Sequence, residues 1–413
     1  MDDQFETFAQ KMCEYNAAKF TLPYMREHGA VQSYRAAVVS KNAAAGTMVI
    51  QRPFDQQITL PYAPSADILQ AGDECLVLVF GESSNAIIVS DGALRSFGGG
   101  IVRPNILDNW YFVGGGSQQG GGQFPINQRG KTSYSYGYTV DRLYNRSSNV
   151  QTDVATDGIK FTNLTDPANT KNMFINEALE CRDRILGQTV TLSVLVAEVS
   201  NSAEARIQIS NANAVNLNTD NLGSSQWFTS PGLYSVTVTI PNTVTYSYIH
   251  ATMLLRDTSA KNSYIVVKAW KLELGDTQTL AHLENGEWVL NELPNYQEQL
   301  ARCQRHLYIM NTYGATDARF AMGQTMTGTT ADFLIEPPVP MRTVPTLTTS
   351  GSLAVIRASN SYTATYAIDS TGSTNDRILV VATRDSSTWT TSNPCQLKAD
   401  NDATSRLIFS AEL

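Results

Sequence analysis

The stretch NWYFVGGGSQQGGGQFPINQRG, Asn109 to Gly130, decides between two kinds of fold. Its two runs of three glycines could cradle a phosphate or could form a loop on a larger β framework. A phosphate-binding loop of the GxxxxGK[ST] type needs a lysine that reaches the phosphate and lies between a strand and a helix. Here Gly120, Gly121 and Gly122 are followed by Gln123, Phe124 and Pro125. A dinucleotide fold would also need βαβ units, and the flanking sequence shows none. The stretch therefore reads as a surface loop between two early strands, a common place for ligand or subunit contact when a rigid sheet supports it.

Working outward, the chain after this loop runs as short apolar, β-branched segments separated by Asn, Asp, Gly and Ser clusters. They include DGIKFTNL, GQTVTLSVLVAEV, EARIQIS, GLYSVTVTIP, YSYIHATMLL and NSYIVVKAWKLEL. Many short strands with few helical stretches predict an antiparallel sandwich or jelly roll, placed over residues 105–280. Upstream, YRAAVVSK, GTMVIQ, QQITLPY, DECLVLVF and NAIIVSD are five strand-like runs bounded by turn residues. That pattern suits a small closed barrel of the OB type, placed in residues 1–91 with a helix ahead of it. In that helix Phe5, Phe8, Met12 and Tyr15 share one face, which packs either on its own domain or on copies of itself. Residues 92–104, with the SFGGG run and Pro104, read as a linker.

Residues 281–312 are read as a connecting segment with a short helix. Tyr296, Leu300, Cys303 and Leu307 form its apolar stripe, and Pro294 suits its first turn. A lone amphipathic helix of this kind either packs on a neighbouring domain or bundles about a threefold axis. Residues 313–413 form a further all-β region, with Pro337, Pro338, Pro340 and Pro345 marking an extended segment. The fold class is thus mainly β: a helix and OB-like barrel, a central jelly roll, a connecting helix and a C-terminal β domain.

Of the 413 residues 16% are charged, and the net charge is -8. Lys and Arg do not cluster, which argues against a nucleic-acid partner. No window reaches the ~18 apolar residues of a membrane span, so membrane insertion is not expected. The acidic MDDQFETFAQ start is unlike a secretory leader, and synthesis in a cytoplasm is expected. The five cysteines (Cys13, Cys75, Cys181, Cys303, Cys395) show no CxxC spacing and read as buried thiols.

Catalytic patterns are missing. His28, His250, His282 and His306 are scattered without HxH or HExxH spacing, and each reads as an ordinary surface or interface residue. Glu177, Glu180, Asp183 and Glu198 leave a non-local carboxyl pair open, although Glu177 and Glu180 read as solvated acids at a strand start. No enzyme activity and no cofactor are expected. Asp108 and Asp276, near the two ends of the jelly roll, are the candidate ligands for a structural Ca²⁺.

Sugar binding is the chemistry the residues support, because aromatic faces stack on the C–H face of a pyranose while polar side chains take its hydroxyls. Candidates are Trp110, Tyr134, Tyr136, Tyr138 and Trp227 in the middle domain, with Tyr362, Tyr366 and Trp389 in the distal one. Trp270, inside VVKAWKLEL, reads as packing. Trp389, in the polar SSTWTTSN, reads equally as exposed or buried.

Several motifs in order carry a resemblance. NILDNWYFVGGGSQQGGGQFPINQRG, SYGYTVDRLY, GQTVTLSVLV, IVVKAWKLELGDTQT, YQEQLARCQRHLY and VPMRTVPTLT resemble the tail-fibre or receptor-binding proteins of tailed bacteriophages and prophages. The likeness covers residues 105–346. It departs where His306 and Leu307 follow Cys-Gln-Arg in place of the usual aromatics. The resemblance implies a virion protein: a homotrimer that attaches to tail or baseplate proteins through its barrel and binds a host-surface glycan through its distal β tip. The alternatives are a carbohydrate-binding accessory module and a surface-polysaccharide hydrolase.

Overall fold

The computed structural model describes residues 30–43, 45–51, 57–62, 69, 74–80, 86–89, 95–97, 100–115, 124–166, 173–180, 182–200, 202–214, 216, 220–242, 247–256, 258–386 and 389–413. The expected first helix, with Phe5, Phe8, Met12 and Tyr15, lies outside the described residues, as does the second glycine run. The chain forms two compact units, residues 1–104 with 279–292 and residues 105–278 with 293–413.

In the first unit, β1 (Ala30–Asn42), β2 (Thr47–Gln51), β3 (Gln57–Pro61), β4 (Glu74–Phe80) and β5 (Ala86–Val89) form one sheet in the order β3-β2-β1-β4-β5. A parallel bridge from Tyr62 to Ile88 joins its two ends. This is the closed order of an OB barrel, as the turn-punctuated runs predicted. The long β1 serves both halves: Ala37–Asn42 pairs with β2 and Ala30–Ala37 with β4, with register shifts at Val38/Ser40 and Ala30/Gln32 that let the strand bend. Alternation along β2 turns Met48 and Ile50 into a core with Val38, Leu60, Val77 and Ile88. Residues 92–104 are more than a linker. β6 (Arg95–Phe97) and β7 (Gly100–Val102) pair as a hairpin within them. A second hairpin, β20 (Ala281–Glu284) with β21 (Glu287–Leu290), occupies the start of the expected connecting segment.

The second unit opens with a sandwich of two six-stranded antiparallel sheets. One contains β8 (Ser133–Tyr134), β11 (Val150–Ala155), β12 (Gly158–Asn163), β14 (Thr189–Val199), β17 (Gly232–Thr239) and β19 (Tyr264–Leu274), in the order β17-β14-β19-β12-β11-β8. The other contains β9 (Gly137–Tyr138), β10 (Tyr144–Asn145), β13 (Met173–Ala178), β15 (Ala205–Ala212), β16 (Asp220–Ser224) and β18 (Tyr248–Leu255), in the order β16-β15-β18-β13-β10-β9. Period-2 alternation buries Leu192, Val194, Trp270 and Leu272 from the first sheet and Ile175, Ile207, Ile209 and Met253 from the second. A register shift between Leu195 and Val196 lets Ile265 and Val267 share this inner side with Trp270. Gly158 closes the β11–β12 hairpin at φ +153, where an added Cβ would meet the Val267 carbonyl.

The remainder is a second β layer pair. β22 (Leu307–Asn311), β25 (Thr346–Ser350) and β31 (Arg406–Ser410) form a small sheet with the C-terminal strand in its centre. β23 (Arg319–Thr325), β24 (Thr330–Ile335), β26 (Leu353–Arg357), β27 (Asn360–Tyr362), β28 (Thr365–Ile368), β29 (Ile378–Thr383) and β30 (Pro394–Ala399) form a seven-stranded one. Phe333, Val355, Val380, Leu397, Leu407 and Phe409 fill the core of this region. The four prolines fall between β24 and β25 rather than in a strand.

Candidate functional site

Two regions of the second unit concentrate polar and charged side chains. The first lies where the sandwich meets the distal region. The helix Tyr296–Gln304 is capped by Asn295, whose side chain accepts from the N–H groups of Gln297 and Glu298. Pro294 therefore stands just ahead of the cap rather than in the first turn. The expected stripe does not run through one helix: Leu307 already begins β22. Cys303 and Leu307 are buried within the chain, so neither faces another protomer. Gln299 is buried with Cys303 and accepts from the Asn109 N–H at 2.9 Å. Tyr296 packs edge-on against Phe124, which meets Tyr111 in the same way.

Around this helix lies an ion network. Asp108 sits 3.1 Å from Arg142 Nε and 2.7 Å from Arg302 Nε. Arg142 is buried, donates to the Ala178 carbonyl at 2.7 Å and lies 3.5 Å from Glu412. Glu180 is 2.7 Å from Arg305 and 3.4 Å from His306. Hydrogen bonding from His306 first, with Arg305, holds the Glu180 carboxyl down at about 2. Burial holds the His306 imidazole below its usual range. Asp141 is fully buried, accepts from Gln128 Nε2 at 2.7 Å, and is pushed up to about 7 by burial. Glu177 accepts from the Asp108 N–H at 2.7 Å through Oε1, while its buried Oε2 has no hydrogen-bond partner among the described residues. Burial first, then the Asp108 charge, raises its pKa well above the carboxylate range.

These positions revise several expectations. Glu177 is an interior acid on β13, not a solvated one, and His250 and His306 are buried rather than superficial. Asp108, a candidate Ca²⁺ ligand, is paired with two guanidinium groups. Asp276 is exposed and accepts from Thr277. Among the described residues no group of three or more His, Cys, Asp or Glu side chains is placed to hold a metal ion. The cavity beside the network, lined by Asp108, Arg142, Glu177, Glu180, Arg302 and Arg305, measures about 130 Å³. That is below the ~300 Å³ lower bound of ligand pockets, and Asp108 and Glu180 are tied up by cations. The network holds two β regions together. Asp108, Gln128, Arg129, Asp141, Arg142 and Arg305 come from the NILDN, INQRG, VDR and CQR motifs, and Glu177, Glu180, Arg302, His306 and Glu412 lie outside them. From the INQRG loop, Gln128 donates to the Leu307 carbonyl at 2.6 Å, Arg129 reaches Glu412 at 3.0 Å, and the Arg129 carbonyl accepts from Arg406 at 2.7 Å.

The second region is the outer face of the β16-β15-β18-β13-β10-β9 sheet. Register puts Arg206, Gln208 and Ser210 of β15, Tyr248, His250, Thr252 and Leu254 of β18, Phe174 and Asn176 of β13, Tyr144 of β10 and Tyr138 of β9 on this side. Asn176, Thr252, Gln208, Ser210 and His250 form a buried polar floor. Burial first, and then the Arg146 charge, lowers His250 to about 4, so it is neutral. Around the floor stand the aromatics. Tyr136 is 54% exposed and meets Tyr144 edge-on at 5.8 Å. Arg146 lies 4.5 Å from the Phe174 ring centroid. Trp227 is partly exposed between Arg206 at 4.5 Å and Arg256 at 5.3 Å.

Of the eight aromatic candidates, this face gathers Tyr136 and Trp227. Trp110, Tyr134 and Trp389 are buried, which removes their ring faces from any sugar. The Tyr134 hydroxyl donates to Asn127. Tyr138 is covered by Arg129 and donates to the Leu413 carbonyl at 2.7 Å, a joint contact. Tyr366 packs on the distal core. Tyr362 is partly exposed under the Arg384 guanidinium, edge-on to Trp389. Sequence reading missed Tyr144, Arg146, Arg206, Tyr248 and His250. The alternation in ARIQIS and YIHATMLL, with its polar members facing away from Ile207, Ile209, Ala251 and Met253, was the signal for three of them.

No family model matches the chain, and no curated protein matches it. Among solved structures it is similar to a carbohydrate-binding module of family 4, with 13% identity over 41% of this chain and 99% of the module, at a TM-score of 0.26. It is also similar to a β-sandwich superfamily carbohydrate-binding module, with 11% identity over 60% and 86% at a TM-score of 0.23. The tandem CBM22-1–CBM22-2 domain of Paenibacillus barcinonensis Xyn10C matches with 12% identity over 75% and 98% at a TM-score of 0.24. Likeness at this level sets no function for the chain.

Proposed function

We propose that this chain is a receptor-binding protein of a phage tail, attached through its barrel unit and binding a host-surface glycan on the outer face of the sandwich sheet. The observation that carries the glycan reading is the rim of that face: Tyr136, Trp227, Arg146 and Arg206 stand at least partly exposed above a buried floor of Asn176, Gln208, Ser210 and Thr252. Rings that offer apolar faces beside guanidinium donors match a sugar, which presents C–H faces and hydroxyls together. The tail assignment rests on the ordered motifs from NILDN to CQR. Their residues build the joint between the sandwich and the distal sheets, so a shared joint accounts for a shared motif order.

This placement moves the proposed glycan site from the distal tip to the sandwich. Trimer formation stays part of the proposal, with avidity from equivalent sites as its advantage. Cys303 and Leu307 give it no support, which leaves Phe5, Phe8, Met12 and Tyr15, with the partly exposed Tyr296 and Leu300, as its candidates. The test is binding of the full chain to purified host-surface polysaccharides, with Tyr136→Ala and Trp227→Ala as variants. Loss of binding in both, with unchanged Tm, is expected. Unimpaired binding by the double variant would move the site elsewhere. A native mass of one chain, 45.2 kDa, would remove the trimer.

A further inference from the structure

We infer that the glycan taken by this face is an acidic one, whose repeating units carry oxyanions that Arg146 and Arg206 receive. The inference rests on the glycan reading above and narrows it to a substrate class.

The two arginines occupy one row of the sheet. Phe174 pairs with Leu254, Leu254 pairs with Arg206, and the Arg146 N–H donates to the Phe174 carbonyl. Three strand-to-strand steps separate the two residues, about 14 Å at ~4.8 Å per step. Between them, the outward positions of β10, β13, β18 and β15 carry no Asp or Glu: they are Tyr144, Phe174, Asn176, Ala178, Tyr248, His250, Thr252, Leu254, Arg206, Gln208, Ser210 and Ala212. Among the described residues neither Arg146 nor Arg206 has a carboxylate partner, whereas the neighbouring Arg256 is paired with Glu204. Both also hold a buried N–H with no acceptor among the described residues, Nη1 in Arg146 and Nε in Arg206.

A half-buried guanidinium with an unmet donor is costly unless an acceptor arrives. Each plane is held against a ring, Phe174 or Trp227, which pre-orients its donors for the paired oxygens of a carboxylate or phosphate. Burial already disfavours the charge of both groups, and an incoming anion would offset that. Two such receivers across one face suit a polymer with regularly spaced charges better than a single acidic sugar.

The test uses the full chain and three immobilised polymers: a uronic-acid polysaccharide, the same polysaccharide with its carboxyls reduced to alcohols, and a glycerol-phosphate polymer. Binding to one or both charged polymers is expected. Carboxyl reduction, or Arg146→Gln or Arg206→Gln, should weaken uronate binding at least about tenfold, the worth of one charge-assisted hydrogen bond. Raising salt should weaken it further. Arg206→Lys, which keeps the charge and loses the fork, should fall between wild type and Arg206→Gln. Measurable and equal binding of the native and reduced polymers overturns the charge inference and leaves the glycan face standing. Failure to bind any polymer overturns both.

Discussion

Asp108 Oδ1 lies 2.7 Å from Arg302 Nε, a link between the segment that opens the sandwich and the helix that leads out of it, 194 positions later in the chain. On its other side the same carboxylate meets Arg142 at 3.1 Å. The two arginines differ in burial, with 2% of the Arg142 side chain exposed against 32% of Arg302.

Burial predicts a ranking. Arg142→Met leaves Asp108 and Glu412 short of a cation in the interior and should cost about 3–5 kcal/mol. Arg302→Met removes a more solvated partner and should cost about 1 kcal/mol. Urea unfolding of both variants checks the order. Equal losses would mean that burial does not govern the joint.

Glu177 makes stability fall as pH rises. Its folded pKa is raised above the unfolded value by burial, so the native state holds the proton more tightly. That contribution is complete below an unfolded pKa of about 4.3 and is lost as pH climbs through the folded value. Asp141, raised to about 7, acts in the same direction. Glu180 at about 2 and His250 at about 4 act in the other, favouring the fold at higher pH. Glu177→Gln should therefore gain on wild type in Tm progressively from pH 4 upward. A gap that is constant with pH would show that Glu177 does not titrate with folding.

Asn109 combines a backbone role with a side-chain one. It sits at φ +49, donates to the carbonyls of Ile126 and Asp141 at 2.8 Å each, and accepts from the Ile126 N–H at 2.7 Å. Asn109→Ala strands those groups in the interior, at about 1–3 kcal/mol for each left unmet, and Ala tolerates this φ less well. A loss of several kcal/mol in a denaturant titration is expected. A loss under about 1 kcal/mol would contradict the hydrogen-bond pattern.

Cys303 should be chemically silent. The thiol is buried and burial raises its pKa well above 9.0, which removes the reactive thiolate. Alkylation mapped by mass spectrometry should leave Cys303, Cys75 and Cys395 unlabelled in native protein and label all three in urea. Rapid native labelling of Cys303 would show that the helix leaves its seat.

Local pattern made much of the architecture legible. The barrel strands, the long β14 and β19, the helix around Tyr296 and the distal β region all follow from period-2 or helical spacing punctuated by turn residues. These signals act over a few residues, and backbone preference responds to them directly. What local pattern could not reach was which side chains end in the interior. Tyr134 and Tyr136 stand two apart in SYSYGY, yet one is buried and the other 54% exposed. Glu177 looks like a surface acid beside Asn176 until Asp108 and Arg142, 69 and 35 positions upstream in the sequence, are packed against it. By itself the sequence determined the strands and the turns between them, because those depend on neighbours along the chain. The ionic joint, the acids whose pKa burial raises within it and the two arginines on one sheet face were decided only by tertiary structure. Burial and charge pairing depend on neighbours in space, and sheet register brings those together from distant parts of the chain.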